Sequence, residues 1–572
     1  MQKHHLSLQH FRERLTHYDA LPQLVILGLL SGVATGILMV LFRLAVEWPL
    51  VWWQGNAEAF ESLPTLQLFL LPIAGSIALS LVFLLWPKAK QAGMVHLFER
   101  LAYHQGQIPG SSLAAQFVTA TIALVSGHSV GREGPSIYLG AACSSLIGQR
   151  LQLPNNSLRL LVGCGAAAAI SAAFNTPLAG VIFAMEVVLM EYTLIGFTPV
   201  IVAAVSADLV MRTVLGHDPV FSVPLFQIGT LAEIPWVMLL GVCVGISAAA
   251  FNKIMLYTYR FSSKPVVLRF IIAGIATGSL AIFYPQIMGV GYDTISDALW
   301  GRIELQLLCG LLLAKLLLTP FILGLGIPAG LIGPTLFIGA IIGGIFGVVG
   351  DFFSDMDVSH QGLYAMLGMG AMMAAVLNAP LAALVALLEL TGNPNIIFPG
   401  MIAIVISNLT VRYLFNLPSI FQSALQAQGL DYRQEPIAQS LSRAATGSLM
   451  ERSFITTDAE ISLKAAQQIV TESPRWLYIK DPQEQNSRVM LPKDLNDWVA
   501  RDNINDPINL LDIPAERFNV VEISFRATLH EALTKMNEQH INLLCVVSNK
   551  NELMGMITRS QIEYYYTHKQ TL

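Results

Sequence analysis

The feature that most constrains this sequence is a polar stretch, residues 126–141, set between apolar runs. It places Arg132 and Glu133 next to each other, between Gly131 and a Gly-Pro pair that ends at Pro135. An ionisable side chain at membrane depth is costly, so we expect it to serve a function and to have a partner. Because glycine permits unusual dihedral angles and proline suits a first helical turn, the stretch predicts a helix that begins inside the membrane. An anion is the natural occupant in front of such a helix, and Glu133 is a tethered one.

Composition places these residues in a membrane protein. Of 572 residues, 54% are hydrophobic and 12% are charged, and the mean hydropathy is +0.58. A soluble protein carries about 25% charged residues. The small net charge of -5 argues against a nucleic-acid partner. The five cysteines have neither disulfide nor metal-site spacing, so no metal is expected.

The first two apolar segments, residues 22–53 and 66–86, are long enough to span a bilayer. The link between them has no Lys or Arg, whereas basic residues flank both segments on the other side, so the positive-inside rule places the N-terminus in the cytoplasm. Between residues 112 and 215, shorter apolar pieces are broken by Gly, Pro and Asn. We expect broken helices there, whose ends line a cavity walled by protein.

Domain organisation follows from these changes in composition. We expect a cytoplasmic segment at 1–20, a first membrane half at 21–218, a second half at 219–430, a polar linker at 431–446 and a soluble domain at 447–572. The soluble domain should share the cytoplasm with the N-terminus.

The two membrane halves contain an internal repeat. Residues 130–141 align with 329–340, residues 175–179 with 378–382, and the spacing of Pro22, Gly28 and Gly32 recurs at 235, 241 and 245. Three matches in the same order indicate a duplication. By the positive-inside rule, the first span crosses the membrane from inside to outside, and its copy crosses from outside to inside. The halves are therefore inverted, and the two Gly-x-x-Gly-Pro helices should meet head to head. Arg43 fits this orientation if it reaches the interface or pairs with Glu47.

With both Gly-x-x-Gly-Pro elements identified, the chain resembles the CLC family of chloride channels and chloride/proton antiporters over roughly residues 20 to 430. The resemblance rests on Gly131-Arg-Glu-Gly-Pro135 and Gly330-Leu-Ile-Gly-Pro334. It implies an all-α polytopic membrane fold with an inverted repeat, followed by an α/β pair of CBS modules. It also implies a homodimer with one anion pathway in each subunit.

The resemblance assigns roles to particular residues. Glu133 matches the gating glutamate, whose carboxylate competes with chloride and moves aside when protonated or displaced. The bound chloride would lie against the following residues: Gly131, Arg132, Glu133, Gly134, Gly330, Leu331, Ile332, Ala92, Gly93 and Phe421. Leu331 and Ile332 would contribute their backbone N–H groups, so their dihedral angles matter more than their side chains.

Three positions depart from the family pattern. Ala92 lies where the family has a serine, and Phe421 where it has a tyrosine, so the central anion site lacks two hydroxyls. We expect fewer donors to give weaker anion binding. Val187 lies where many antiporters have an inner glutamate that accepts protons. All three departures point away from tight coupling to protons.

Two acidic positions and one histidine have structural alternatives. Glu186 and Glu389 are equivalent in the repeat, and we expect both to cap or pair with neighbouring backbone; the alternative is that Glu186, beside Val187, replaces the missing proton relay. His128 is interpreted as a hydrogen-bonded residue at a helix end, with a pH sensor as the alternative.

The soluble tail contains two similar units, 450–498 and 513–566, each predicted as a helix, two short strands and a final helix. CBS pairs commonly bind adenine nucleotides through a threonine and an aspartate three residues later. Here Thr558 is followed by Gln561, and Asp494 is preceded by Leu491, so each half-site is incomplete. A structural or dimerising role is favoured over nucleotide control.

The sequence therefore predicts acid-activated, voltage-sensitive chloride transport that is channel-like or loosely coupled, gated by Glu133. The close alternative is a stoichiometric chloride/proton antiporter, and more distant ones are a secondary transporter of an organic anion and a CBS-gated cation carrier. No hydrolytic or redox constellation predicts an enzyme. The expected location is the inner membrane of a bacterium, with both termini cytoplasmic.

Overall fold

The computed structural model describes residues 14–16, 20–216, 221, 230–353, 361–430, 436–480, 487–500, 506–548 and 551–569. Most of the predicted N-terminal segment, most of the link at 216–233 and the start of the linker at 431–446 lie outside these residues. The chain divides into two compact units. The larger contains Leu24–Leu151 and Leu158–Tyr432; the smaller contains Met1–Gln23, Gln152–Ser157 and Arg433–Leu572.

The larger unit is built of helices in the part that the structure describes. Their bounds are α1 Leu21–Gln54, α2 Thr65–Leu85, α3 Met94–Tyr103, α4 Gly110–Val125, α5 Glu133–Arg150, α6 Asn155–Phe174, α7 Pro177–Phe183, α8 Leu194–Leu215, α9 Ile234–Tyr259, α10 Val266–Ala281, α11 Tyr292–Leu299, α12 Leu305–Gly324, α13 Ile332–Phe353, α14 Gln361–Leu377, α15 Pro380–Thr391, α16 Ile397–Leu409 and α17 Ile420–Ala427.

Eight of the described helices are long and apolar enough to cross a membrane. The expectation that the pieces between residues 112 and 215 are broken is confirmed for α4, with 16 residues, and for α7, which has 7 residues and continues into a π-helical turn. It is wrong for α6 and α8, because their 20 and 22 residues reach spanning length. Short breaker motifs mark helix ends well, but they do not give the length of the helix between them.

The repeat predicted from sequence is present in the packing of the helices. In the first half, α1 packs on α8: a methyl group at Gly28 would lie 2.5 Å from the carbonyl oxygen of Pro199. In the second half, α9 packs on α16 in the same way, since a methyl group at Gly241 would lie 3.0 Å from the carbonyl oxygen of Ala403. Small residues therefore let the backbones approach closely in both halves.

The two halves also share a turn made by an equivalent asparagine in each. Asn175 precedes α7 and Asn378 precedes α15, and both adopt the left-handed conformation with φ of 56°. Asparagine tolerates this conformation better than most residues. The same residue thus makes the same turn in each half.

The smaller unit contains the soluble tail, which is an α/β domain. Its described elements are α18 Pro436–Ser442, α19 Thr446–Leu449, β1 Phe454–Asp458, β2 Glu460–Ile461, α20 Leu463–Glu472, β3 Trp476–Lys480, β4 Arg488–Met490, α21 Pro492–Val499, β5 Ile508–Asn509, β6 Arg517–Asn519, β7 Glu522–Ser524, α22 Leu529–Glu538, β8 Leu543–Val547, β9 Leu553–Thr558 and α23 Arg559–Lys569.

The two units predicted in the tail share one order of elements. In the first, β1 pairs with β3 in parallel across α20, β3 pairs with β4 antiparallel, and α21 follows. In the second, β7 pairs with β8 in parallel across α22, β8 pairs with β9 antiparallel, and α23 follows. Thr528 begins α22, where its side chain and that of Glu531 form a capping box.

Candidate functional site

The site is built where two helices begin. Gly131 and Gly330 form an antiparallel bridge, in which each N–H donates to the other's carbonyl oxygen at 2.7 Å. Helix α5 starts two residues after Gly131 and α13 two residues after Gly330. A methyl group at Gly330 would lie 2.6 Å from the backbone nitrogen of Gly134, so only glycine allows this approach. The prediction that the two helix N-termini meet head to head is confirmed.

The carboxylate of Glu133 fills the space at this meeting point. The side chain is buried, with 1% of its surface exposed. One carboxylate oxygen accepts a hydrogen bond from the backbone N–H of Gly333, at 3.0 Å, in the first turn of α13. The other accepts from the hydroxyl of Tyr292, the first residue of α11. A negative group of one half thus lies on the N-terminus of a helix of the other half, where the helix dipole favours an anion.

Arg132 has the carboxylate partner that its position required. Its guanidinium pairs with Glu47 of α1 at 3.1 Å, and Arg43 pairs with the same carboxylate at 2.8 Å. The pairing expected for Arg43 is therefore confirmed. The Arg132 guanidinium carbon also lies 5.1 Å from the centroid of the Tyr292 ring. Such cation–π contacts stabilise an aromatic ring in place.

A cavity of about 300 Å³ reaches Gly330 of the bridge and the start of α13. It is lined by seven of the residues to which the sequence analysis gave a role in anion binding: Ala92, Gly93, Gly134, Gly330, Leu331, Ile332 and Phe421. Neither Ala92 nor Phe421 offers a hydroxyl to it. The cavity wall also contains Arg269, whose guanidinium donates to the carbonyl of Leu325 at 2.8 Å. A cationic side chain on the wall favours the presence of anions.

Comparison with known proteins identifies the larger unit. The family model described as voltage gated chloride channel matches residues 74–412, and the CBS domain model matches residues 512–567. The chain belongs to the voltage-gated chloride channel (CLC) family. Its fold class is the helical CLC membrane fold followed by an α/β CBS domain, as predicted, and the proteins of this family transport chloride rather than acting as enzymes.

Similar proteins include one named as a chloride channel and one named as a chloride/proton exchanger. The chain is 30% identical over 437 residues to a putative chloride channel protein ClcB-like of Ralstonia nicotianae, which covers 73% of this chain and 100% of the relative. It is 31% identical over 300 residues to the H(+)/Cl(-) exchange transporter ClcA of Vibrio parahaemolyticus, covering 51% and 64%. The crystal structure of a slow cyanobacterial Cl-/H+ antiporter has a TM-score of 0.63 at 22% identity, covers 71% and 97%, and supports the fold alone.

The equivalent carboxylates of the CLC repeat cap helices reciprocally. Glu186 accepts hydrogen bonds from the backbone N–H groups of Leu381 and Ala382, at 3.3 and 2.6 Å, in the first turn of α15. Glu389 accepts from those of Leu178 and Ala179, at 3.1 and 2.6 Å, in the first turn of α7. Each glutamate therefore has the capping bonds expected of a structural residue, but the backbone that it caps belongs to the opposite half.

The remaining predicted residues lie apart from the Glu133 carboxylate. Val187 is buried in the π-helical turn Ala184–Leu189. His128 bonds to the hydroxyls of Ser76 and Ser126 at 3.0 and 2.9 Å, which confirms the interpretation as a hydrogen-bonded residue. In the tail, Thr558 donates to the side-chain oxygen of Gln561 at 3.0 Å, and Asp494 lies in the first turn of α21. A role of Thr558 and Asp494 in nucleotide binding stays a prediction.

Sequence reasoning missed two residues near Glu133. Tyr292 bonds to Glu133, and Lys315, fully buried in α12, donates to the carbonyl of Val290 at 3.0 Å. Lys315 could have been found with the rule that identified Arg132, since it is a lone cation in an apolar segment. Tyr292 gives no such signal, because a tyrosine after a Gly-Val-Gly sequence is equally compatible with a packing role.

Proposed function

We propose that this CLC protein transports chloride through a pathway gated by Glu133, in a channel-like or loosely coupled manner. In the closed state, the carboxylate of Glu133 occupies a place that an anion would otherwise take. Protonation removes its charge and weakens its hold on the N–H of Gly333. Chloride flux therefore rises as the pH falls.

The observation that carries the proposal is the hydrogen bond from the Gly333 N–H to the Glu133 carboxylate across the Gly131–Gly330 bridge. A buried anion depends on nearby donors, and main-chain N–H groups at two helix starts supply them. Because one such donor is already satisfied by a carboxylate, chloride and Glu133 compete for it. This competition is the physical basis of gating.

We propose loose coupling of chloride to protons because two hydroxyl donors and an inner proton acceptor are replaced by other residues. Ala92 and Phe421 contribute no hydroxyl to the cavity, so a chloride there has fewer donors and binds weakly. Val187 has no ionisable group to accept a proton from the inner side. Glu186 is engaged with two backbone N–H groups at the start of a helix, which gives its side chain a structural role.

A stoichiometric chloride/proton antiporter is the second candidate. It is favoured by the relatives named as H(+)/Cl(-) exchange transporters. In this candidate, water or Glu186 would deliver protons to Glu133. A chloride gradient would then drive protons uphill, which a loosely coupled protein does poorly or not at all.

The test is simultaneous recording of chloride and proton movement in proteoliposomes that contain the purified protein. We expect chloride efflux to increase on acidification and to carry few protons. Glu133→Gln should give fast efflux that no longer depends on pH, whereas Glu233→Gln, which changes a buried glutamate outside the gate, should keep the parental pH profile. Uphill proton uptake at a fixed ratio to chloride would support the antiporter, and a pH-dependent Glu133→Gln variant would contradict the gate.

We also propose that the protein is a homodimer in a bacterial inner membrane, with one pathway in each subunit and both termini in the cytoplasm. The CLC resemblance supports the dimer, and the distribution of Lys and Arg supports the orientation. Mass measurement of the detergent-solubilised protein and protease accessibility of the tail in inside-out vesicles test these two points.

A further inference from the structure

The Glu133 carboxylate is held by two donors of different kinds. Gly333 supplies a main-chain N–H that would equally serve chloride. Tyr292 supplies a hydroxyl to the other carboxylate oxygen. Tyr292 is only 7% exposed, so this hydroxyl has little access to solvent and is committed to the carboxylate.

The Tyr292 ring is fixed from several sides. The Arg132 guanidinium lies 5.1 Å from its centroid, and the Phe221 ring meets it edge-on at 5.6 Å with an interplanar angle of 88°. The segment before Tyr292 is held by Lys315, which donates to the carbonyl of Val290 at 3.0 Å and lies 4.0 Å from the centroid of Phe337. The ring that carries the hydroxyl is therefore held by contacts that do not involve the Glu133 carboxylate.

We propose that Tyr292 is a positioning residue that retains the Glu133 carboxylate in its occluding position and thereby sets the pH at which chloride flux begins. The proposal rests on the gating role of Glu133. A hydroxyl donor bonds more strongly to a carboxylate than to a neutral carboxylic acid. Tyr292 therefore stabilises the closed, ionised gate selectively, and its bond weakens when the gate is protonated.

Several other charged groups surround this pair. Arg132 and Lys315 interact electrostatically with Glu133, while Glu47 and Glu58 interact with Arg132 and Asp293 interacts with Lys315. Glu58 lies in the loop after α1, and burial raises the pKa of its carboxyl group. Removing only the Tyr292 hydroxyl leaves all these charges in place, so a change in pH dependence can be assigned to the lost hydrogen bond.

The test compares Tyr292→Phe with the parent by measuring chloride efflux from proteoliposomes over a pH series. We expect the pH of half-maximal flux to move upward by about one pH unit, the size of one hydrogen bond to a charged group. Tyr364→Phe is the matched control, because Tyr364 also donates to a buried glutamate, Glu233, at 2.6 Å. Tyr364→Phe should not move the midpoint.

The outcomes separate the two proposals. If Glu133→Gln retains the parental pH profile, the gate is refuted and the role of Tyr292 with it. If Glu133→Gln is insensitive to pH but Tyr292→Phe keeps the parental midpoint, only the role of Tyr292 is refuted. Tyr292→Leu, a second variant without the hydroxyl, should shift the midpoint in the same direction, and a shift toward acid in either variant would also overturn the proposal. Adding Tyr292→Phe to Glu133→Gln should change nothing further.

Discussion

The two Gly-x-x-Gly-Pro elements have the same backbone but different chemistry. Both bring a helix N-terminus to the Gly131–Gly330 bridge, and both use glycine where the backbones touch. The first carries Arg132 and Glu133 between its glycines, and the second carries Leu331 and Ile332. The duplication therefore supplied two sets of main-chain donors, while a single half supplied the charge that can occupy them.

A second pair of residues shows the opposite behaviour. Glu186 and Glu389 are the same residue in both halves and make the same pair of backbone hydrogen bonds. The symmetric carboxylates have structural contacts, whereas the asymmetric carboxylate, Glu133, lies where the halves meet. The residue that we propose as the gate is thus the one that breaks the symmetry of the two halves.

The largest effect is expected from disrupting the close backbone contact between the two Gly-x-x-Gly-Pro elements. Gly330→Val would place side-chain atoms against the backbone nitrogen of Gly134, 2.6 Å from the first added carbon, and should destabilise the protein by about 1–3 kcal/mol or more. We expect chloride efflux to fall to the level of empty liposomes and the melting temperature to drop. Gly344→Ala in α13 is the control, since its methyl group would lie 3.6 Å from Leu308. Parental flux from Gly330→Val would show that the two helices need not meet.

The next effect concerns the hydroxyl donors that Ala92 and Phe421 do not supply to the cavity wall. Ala92→Ser and Phe421→Tyr would each add a hydroxyl to the cavity wall, and together they should tighten chloride binding about tenfold or more. Isothermal titration calorimetry of the purified protein measures this change. Ala92→Val combined with Phe421→Leu, which changes the same two positions without adding a hydroxyl, should not tighten binding. Equal affinities in the parent and the double variant would mean that main-chain donors alone determine binding.

The smallest effect is expected at the symmetric carboxylates. Glu186→Gln and Glu389→Gln each weaken a helix cap, so each should lower stability by about 0.5–2 kcal/mol and by similar amounts. Thermal unfolding of the two variants side by side measures this. Their chloride efflux should keep the parental dependence on pH. A loss of proton movement in Glu186→Gln alone would instead make Glu186 a proton relay.

Much of this arrangement could be predicted from the sequence because it depends on backbone chemistry. The paired Gly and Pro positions predict where α5 and α13 begin and that they meet, since few residues tolerate such contact. That Arg132 has a partner followed from the cost of an unpaired charge in a membrane. In the tail, each of the two predicted units has the predicted order of a helix, two strands and a final helix.

The remainder depends on contacts between residues far apart in the chain. Nothing near Tyr292 in the sequence indicates that its hydroxyl reaches Glu133, 159 positions away. The backbone partners of Glu186 and Glu389 likewise lie in the opposite half, so local reading found the capping role without its partner. The lengths of α6 and α8 were missed because breaker motifs at both ends suggested shorter pieces. Each of these features depends on tertiary contacts that the local sequence pattern does not reveal.

The central claim is that the Glu133 carboxylate occupies an anion position at the start of α13. Anomalous X-ray scattering from crystals of the parent and of Glu133→Gln, both soaked in bromide, tests it most directly. We predict a bromide peak within hydrogen-bond distance of the Gly333 N–H in Glu133→Gln and none at that position in the parent. A Glu133→Gln crystal with no bromide there, or a parent crystal with bromide beside an unmoved carboxylate, would contradict the account.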